Sequence, residues 1–187
     1  MAVNCRTLLT VLATLSLVSC QQTPREPVPT LHEIMVGQVD PVADVIWKTA
    51  SKSYGQDGNA APGLLKDADW ARIGKAADEL HAGAGAILVN PGLSATRPGV
   101  TILDEGKVSD AITSKQVQGY IDSDRPALAS HARELASIAS AIGAAARAHD
   151  AVRAVKLSED LDEVCESCHK SFWYPDLPKP RGLAKPQ

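Results

Sequence analysis

Four stretches of apolar residues at helical spacing constrain the fold of this chain more than any other feature of its sequence. In each stretch apolar side chains recur every three or four residues, which places them on one face of a helix. Proline, glycine and asparagine separate the first three stretches from one another, and neither strand-like alternation nor an internal repeat is present in the sequence. The predicted helices cover residues 31–54, 64–90, 125–149 and 150–173. The expected fold is all-α, an antiparallel four-helix bundle.

The first predicted helix has an interruption in its middle. Its apolar stripe consists of Leu31, Met35, Val39, Val42 and Ile46. Asp40-Pro41 falls within this stripe, and proline removes one helical hydrogen bond, although it is also accepted in the first turn of a new helix. We therefore expect a kinked or two-part helix.

A long connection, residues 91–124, separates the second and third predicted helices. Thr113 and Gln116 have the spacing of a capping box, which predicts a short helix over residues 114–121. Connections of this length are often functional, so this insert could cover a site or dock a partner. A surface loop without such a role is the preferred interpretation.

The N-terminus has the pattern of an export signal. A basic residue precedes an apolar run over residues 8–18, which is too short to span a membrane. The run ends in Leu-Val-Ser-Cys20, which resembles a bacterial lipobox. That resemblance implies that residues 1–19 are a signal peptide, that Cys20 carries a lipid, and, because Gln21 follows, that the anchor is in the outer membrane. An ordinary secretory signal with a free Cys20 thiol is the alternative. Residues 20–30 contain three prolines and predict an extended membrane tether.

Cys165-Glu166-Ser167-Cys168-His169 lies on the last predicted helix. C-x-x-C-H is the attachment sequence of c-type haem, in which two thiols bond to the porphyrin and the adjacent imidazole binds the iron. On a helix the two cysteines and the histidine share one face, so all three can address one planar ligand. Zinc sites and redox-active dithiols also use C-x-x-C. The sequence has no second ligand pair at short spacing, and the motif does not open a helix after a strand. Haem is the preferred interpretation; an exported dithiol or metal-binding bundle without haem is the alternative.

A helical bundle with CxxCH near the end of its last helix resembles the class II cytochromes c, the family of cytochrome c′ and cytochrome c-556. The resemblance covers residues 31–173 and depends on CESCHKSFW and on the number and order of the helices. It implies one covalently attached haem c on the last helix, bonded to Cys165 and Cys168, with His169 as the proximal iron ligand. It also suggests homodimers. Trp173 stands where the family often has arginine, so the resemblance gives no support for a propionate pairing there.

The residue on the other side of the iron separates two functions within this family. In the c-556 type a methionine of the first helix ligates the iron, whereas in cytochrome c′ an apolar residue leaves the iron open to small gases. Met35 is the only methionine after Met1 and lies on the apolar stripe of the first helix, so we expect it to be the distal ligand. Core packing is the alternative role for Met35. His32 is a competing ligand, although a solvated side chain is the more ordinary expectation for it.

Three further side chains are expected near the cofactor or in the core. Trp47 and Trp173 are candidates to pack against the porphyrin, and His131 is expected to be a hydrogen-bonded core histidine.

These expectations describe an electron carrier that is not an enzyme. The predicted function is a mono-haem periplasmic cytochrome, attached to the membrane through its N-terminal lipid, that exchanges electrons with unidentified partner proteins. A five-coordinate protein that binds NO or CO is the alternative. The formal net charge of −3 argues against nucleic-acid binding. The cytochrome domain is expected to cover residues 31–174, with a proline-rich tail at residues 175–187.

Overall fold

The computed structural model describes residues 27–58, 61, 63–103, 105–107 and 111–175. In chain order its elements are α1 (Leu31–Ile34), a π-helical turn (Met35–Val39), α2 (Asp40–Ala50), a 3₁₀ turn (Ser51–Ser53), α3 (Asp67–Leu88), α4 (Ser114–Ser123), α5 (Arg125–Arg147) and α6 (Ala151–Phe172). No β-strand occurs in these ranges, so the all-α prediction is confirmed for them. The predicted signal peptide, Cys20 and the tail beyond Pro175 lie outside the described residues. Among the helices that are described, none is long and apolar enough to cross a membrane.

The long helices pack against one another around one apolar core. α3 packs along α5, α5 along α6, and α2 contacts both α3 and α6. The interface between α3 and α5 is rich in buried small residues, which lets the two helix backbones come close together. These residues are Ala76, Ala77 and Ala84 on α3, and Ala139, Gly143, Ala145 and Ala146 on α5.

The first helical region consists of two α-helical segments joined by a π-helical turn. The backbone N–H of Asp40 donates to the carbonyl of Met35, five residues earlier, in place of the usual four. Pro41 comes next, in the first turn of α2, where a proline costs no intrahelical hydrogen bond. The predicted interruption is thus confirmed, and the π-helical turn is the form that it takes.

The insert is part of the folded domain, so the expectation of a surface loop is wrong. Leu93, Ala95 and Ile102 are all less than 5% exposed and belong to the apolar core. The predicted capping box is confirmed at the start of α4, where Thr113 accepts from the backbone of Gln116. α4 itself extends to Ser123, two residues beyond the prediction.

Hydrogen bonds and an ion pair join the insert to the beginning of α1. The backbone N–H groups of Leu31 and His32, which have no partner inside the helix, donate to the carbonyls of Ser94 and Ala95 at 2.8 and 2.9 Å. Arg97 makes a bidentate ion pair with Glu33, at 2.6 and 2.9 Å. Glu33 also forms a capping box with Thr30. The insert therefore supplies acceptors for the free backbone N–H groups at the N-terminus of α1 and fixes the position of that end.

Candidate functional site

The last three turns of α6 carry the cysteines and the histidine of the CxxCH motif. Cys165, Cys168 and His169 are half-buried and face the interior, and the two thiols are not joined in a disulfide. α6 ends three residues after His169, because Pro175 disfavours helical geometry at the residue before it. The carbonyl of His169 accepts the backbone N–H groups of both Trp173 and Tyr174, at 2.7 and 3.0 Å. Because of these two hydrogen bonds the chain turns sharply at the end of α6, and the side chains of Trp173 and Tyr174 lie near the imidazole of His169.

Two cavities meet at the motif. The α5 cavity, of about 260 Å³, lies between α2, α5 and α6 and is lined by Val39, Ala43, Trp47, Leu128, His131, Leu135 and Cys165, among others. The insert cavity, of about 240 Å³, is bounded by α1, the insert and the end of α6 and is lined by Leu31, His32, Ile102, Leu103, Val117, Phe172, Trp173 and Tyr174, among others. Met35, Asp40, Cys168 and His169 line both. The residues predicted to hold a haem from opposite sides therefore border one continuous region.

The π-helical turn explains why Met35 and Asp40 line the same cavities. Residues five apart lie on clearly different faces of an α-helix, whereas the wider π-helical turn brings them closer to one line along the helix. The hydrogen bond from Asp40 N–H to Met35 O has this spacing. From the sequence, Asp40 was placed only at the interruption of the first helix, and its position in the site was missed because an α-helical period was assumed throughout.

The environment of the two thiols keeps them protonated. Burial raises the pKa of Cys165 to about 11, and the nearby carboxylates of Asp162 and Asp40 add to the shift. Burial likewise raises the pKa of Cys168 to about 12, with smaller contributions from Cys165 and Glu134. Reactive dithiols and thiolate metal sites instead depend on a lowered thiol pKa. The pair therefore behaves as two neutral thiols in an apolar pocket.

Asp40 is the carboxylate beside His169. Partial burial raises the pKa of Asp40, and Asp44 acts in the same direction, while His169 and His32 act against it. An acidic side chain near an iron-binding histidine is a common means of orienting the imidazole and raising its basicity. Asp40 occupies a suitable position for such a role.

His131 and His32 lie in different cavities. His131 lines the α5 cavity, and its ring nitrogens lie 3.1 Å from Ser171 Oγ and 3.3 Å from Ser167 Oγ, so the expected hydrogen-bonded core histidine is confirmed. His32 is half-buried and lines the insert cavity, so the expectation of a solvated side chain is wrong. The insert that covers His32 could not be foreseen from the sequence around it.

Aromatic side chains form part of both cavity walls. Trp47 lines the α5 cavity, and its indole N–H donates to the carbonyl of Ser158 at 2.8 Å. Trp173 and Tyr174 line the insert cavity, and the centroid of each ring lies 6.1 Å from that of His169. The Tyr174 hydroxyl donates to Glu166, which fixes its ring. Both tryptophans that were predicted to pack against a porphyrin line a cavity at the motif, and Tyr174, which was not foreseen, lines one as well.

The donor set and the cavity walls together fit a covalently attached haem. Two thiols on one helix face and an adjacent imidazole are the groups that attach such a cofactor, and the Met35 thioether, a candidate iron ligand, lines the same cavities. The surrounding walls are predominantly apolar side chains, as a porphyrin face requires. Within the described ranges, no three His, Cys, Asp or Glu side chains come together as a site for a bare metal ion.

Comparison of the chain with protein-family models, with curated proteins and with solved structures found no match. The functional conclusion is therefore carried by the residues of the site.

Proposed function

We propose that this chain is a mono-haem c-type cytochrome that carries electrons in the bacterial periplasm. The observation that carries the proposal is the position of Met35, which borders the same two cavities as Cys168 and His169. The CxxCH motif by itself is compatible with several cofactors, whereas a thioether facing a CxxCH histidine suits low-spin haem iron. The contacts of α2 with α3, α3 with α5, α5 with α6 and α6 with α2 support an antiparallel four-helix bundle with the haem on its last helix.

Each residue of the site has a defined role in this proposal. Cys165 and Cys168 would hold a haem through two thioether bonds, and His169 and Met35 would be its iron ligands. A bound haem would supply a one-electron ferric–ferrous couple. Met35 and His169 are each on a helix packed in the core, which would limit their movement, and a thioether ligand would favour a higher reduction potential. The apolar walls exclude water.

The thiol environment supports haem over a dithiol function. A redox-active or zinc-binding cysteine pair benefits from a lowered thiol pKa, and burial raises both values here, to about 11 and about 12. Neutral thiols in an apolar pocket are instead compatible with addition to the vinyl groups of a porphyrin. No catalytic step is part of the proposal.

The location follows from the N-terminal sequence. The apolar run and Cys20 support export and lipid attachment, and residues 20–30 form the tether to the outer membrane. The capping box between Thr30 and Glu33 marks the start of the folded domain at the end of that tether.

The test is to express the full chain in bacteria with and without a system for c-type haem maturation. We expect the purified protein to gain the mass of one haem only with that system, and a Cys165→Ser/Cys168→Ser variant to gain none. The reduced protein should have the absorption spectrum of low-spin six-coordinate haem. An unchanged mass would exclude the cytochrome. A high-spin five-coordinate ferrous spectrum with rapid CO binding would instead establish the gas-binding alternative.

A further inference from the structure

Trp47 borders a second open space besides the α5 cavity. A surface cleft of about 420 Å³ lies where α2 meets α6, and it is lined by Trp47, Ser51, Tyr54, Ser158, Glu159 and Asp162. Of the described residues, Trp47 alone lines both this surface cleft and the α5 cavity. Its indole ring therefore connects the space next to Cys165 and His169 with the protein surface.

Hydrogen bonds to neighbouring residues of α6 hold the two aromatic rings of the cleft. The Trp47 indole N–H donates to the carbonyl of Ser158 at 2.8 Å, and the Tyr54 hydroxyl donates to Glu159 at 2.7 Å. Trp47 and Ser158 belong to different helices, so the indole bond also ties α2 to α6. A ring held in this way keeps one position between cavity and cleft, which suits a group that conducts electrons, because tunnelling rates fall steeply with distance.

The wall that α6 contributes to the cleft is negatively charged. Residues 156–163 contain four carboxylates and one ammonium group. That ammonium group, on Lys156, is paired with Asp160. Glu159 and Asp162, which line the cleft, have no basic side chain at ion-pair distance in the part of the chain that the structure describes. Uncompensated charge of one sign at a cleft attracts and orients a partner of opposite sign.

The basic residues on the α2 side of the cleft do not offset this charge. Lys48 is paired with Asp44 at 2.6 Å, and Lys52 with Asp69 at 2.8 Å. The insert cavity, the other approach to His169, has two exposed apolar residues in its lining, Val36 and Leu103. These two exposed side chains carry no charge by which a partner could be oriented over distance.

We propose that Trp47 is the port through which electrons enter and leave this protein, and that the surface cleft docks a redox partner protein through a face rich in lysine and arginine. The inference rests on the proposed haem function and deepens it. One electron passes between the haem iron and the partner, so one centre is oxidised as the other is reduced, and no bond or proton is transferred. Trp47 conducts, while Glu159 and Asp162 orient the partner.

Docking can be tested without any electron transfer. Hexaamminechromium(III) is a redox-inert, paramagnetic cation, and it should broaden the NMR signals of the Trp47 indole and the Tyr54 ring in the low-spin ferrous form, which is diamagnetic. Hexacyanochromate(III), the anionic counterpart, should leave them sharp. The indole of Trp70, which is only 5% exposed, provides an internal control. Broadening of the Trp173 indole instead, or of neither the Trp47 nor the Trp173 indole, would overturn the docking site.

Electron transfer is tested by oxidising the ferrous protein with tris(phenanthroline)cobalt(III), a cationic one-electron oxidant. Glu159→Gln/Asp162→Asn should lower the second-order rate about tenfold at low ionic strength, and the difference should shrink as salt is added. Asp78→Asn/Glu79→Gln removes the same charge from α3, which does not contact α6 within the described ranges, and should leave the rate nearly unchanged. If both double variants lowered the rate equally, the effect would come from the net charge of the protein and not from the cleft, which would overturn the proposal.

The conducting role of Trp47 has its own variants. Trp47→Leu should slow the reaction several-fold, and Trp47→Phe, which keeps an aromatic ring, should slow it less. If Trp47→Leu does not fold, the charge variants still decide the location of the port. A chain that gains no haem contradicts the proposed function itself. A haem protein with unchanged rates and unchanged NMR signals contradicts only this inference.

Discussion

The backbone N–H of Asp40 donates to the carbonyl of Met35, across five residues. This bond defines a π-helical turn at the point where the first helical region borders both cavities. π-helical turns are frequent at functional sites, where the additional residue redirects side chains without ending the helix. In the proposed cytochrome this turn presents Met35 to the iron and Asp40 to His169.

Met35→Leu should convert the low-spin ferrous haem into a high-spin, five-coordinate form. Leucine matches methionine in volume, so we expect a loss of stability below about 1.5 kcal/mol, while the distal ligand is lost. The reduction potential should fall, because thioether ligation raises it. Absorption spectra, CO-binding rates and potentiometry measure these changes. Leu88→Met, at a half-buried core position, is the control and should retain the wild-type spectrum. A low-spin spectrum in Met35→Leu would show that another residue ligates the iron.

Deletion of Gly37 should remove the additional residue of the π-helical turn. Met35 and Asp40 would then be four residues apart in a regular α-helix, which keeps both side chains on one face. We expect the low-spin spectrum and the helical circular dichroism to be largely preserved. Gly37→Ala is the control, since a Cβ at this exposed position meets nothing within 4 Å. It should keep the spectrum and stabilise the protein by about 0.5–1 kcal/mol. Loss of the low-spin spectrum after the deletion, but not after Gly37→Ala, would contradict this account of the turn.

Ile102→Ala should open the insert cavity and destabilise the domain. Ile102 is 4% exposed and lines that cavity, so truncation should cost about 2–5 kcal/mol in unfolding free energy. Its neighbour Leu103 is 64% exposed, so Leu103→Ala is expected to change stability by less than about 0.5 kcal/mol. Urea unfolding of both variants gives the comparison. Equal stabilities would mean that the insert does not pack on the domain in solution.

Glu105 should make the insert sensitive to acid. Its carboxylate accepts from the backbone N–H groups of Ser114 and Ile102, both at 3.0 Å, and these bonds hold the pKa of Glu105 below its ordinary value of 4.5. A lowered pKa means that the ionised form stabilises the fold. This stabilisation is complete above pH 4.5 and is lost as the pH falls from there through the pKa of the folded protein.

Glu105→Gln is therefore expected to be less stable than the wild type at pH 7, and the difference should shrink below pH 4.5. Urea unfolding at a series of pH values measures it. Glu79→Gln serves as the control, because Glu79 is bonded only to the exposed Lys75 and should contribute little at neutral pH. A stability difference for Glu105→Gln that stays constant from pH 7 to pH 3 would contradict this role of the carboxylate.

The helical parts of the site could be predicted because helical spacing relates sequence positions directly to faces. Cys165, Cys168 and His169 share a face through their spacing alone, and Met35 belongs to an apolar stripe that must face the core. The helix boundaries were predicted to within about three residues, since glycine, proline and capping residues mark them.

The remaining features depend on contacts that local patterns do not encode. The position of Asp40 follows from a local departure from the α-helical period, and no residue type at positions 35–39 predicts that departure. The ion pair between Glu33 and Arg97 joins residues far apart in sequence, and polar residues at such separations carry no periodic signal. The burial of Ile102 was missed for the same reason: the apolar residues of the insert are too few and too irregular to reveal which surface they cover.

The bonds between the insert and the start of α1 have a mechanical consequence. Residues 27–30 lead directly into α1, where Leu31, His32 and Glu33 are each bonded to the insert. A force applied along the chain from the N-terminal side is therefore borne first by these bonds and by Arg97, before it reaches Met35 two residues further on. In the proposed lipoprotein, the domain can thus swing and be pulled on its anchor without disturbing the position of Met35.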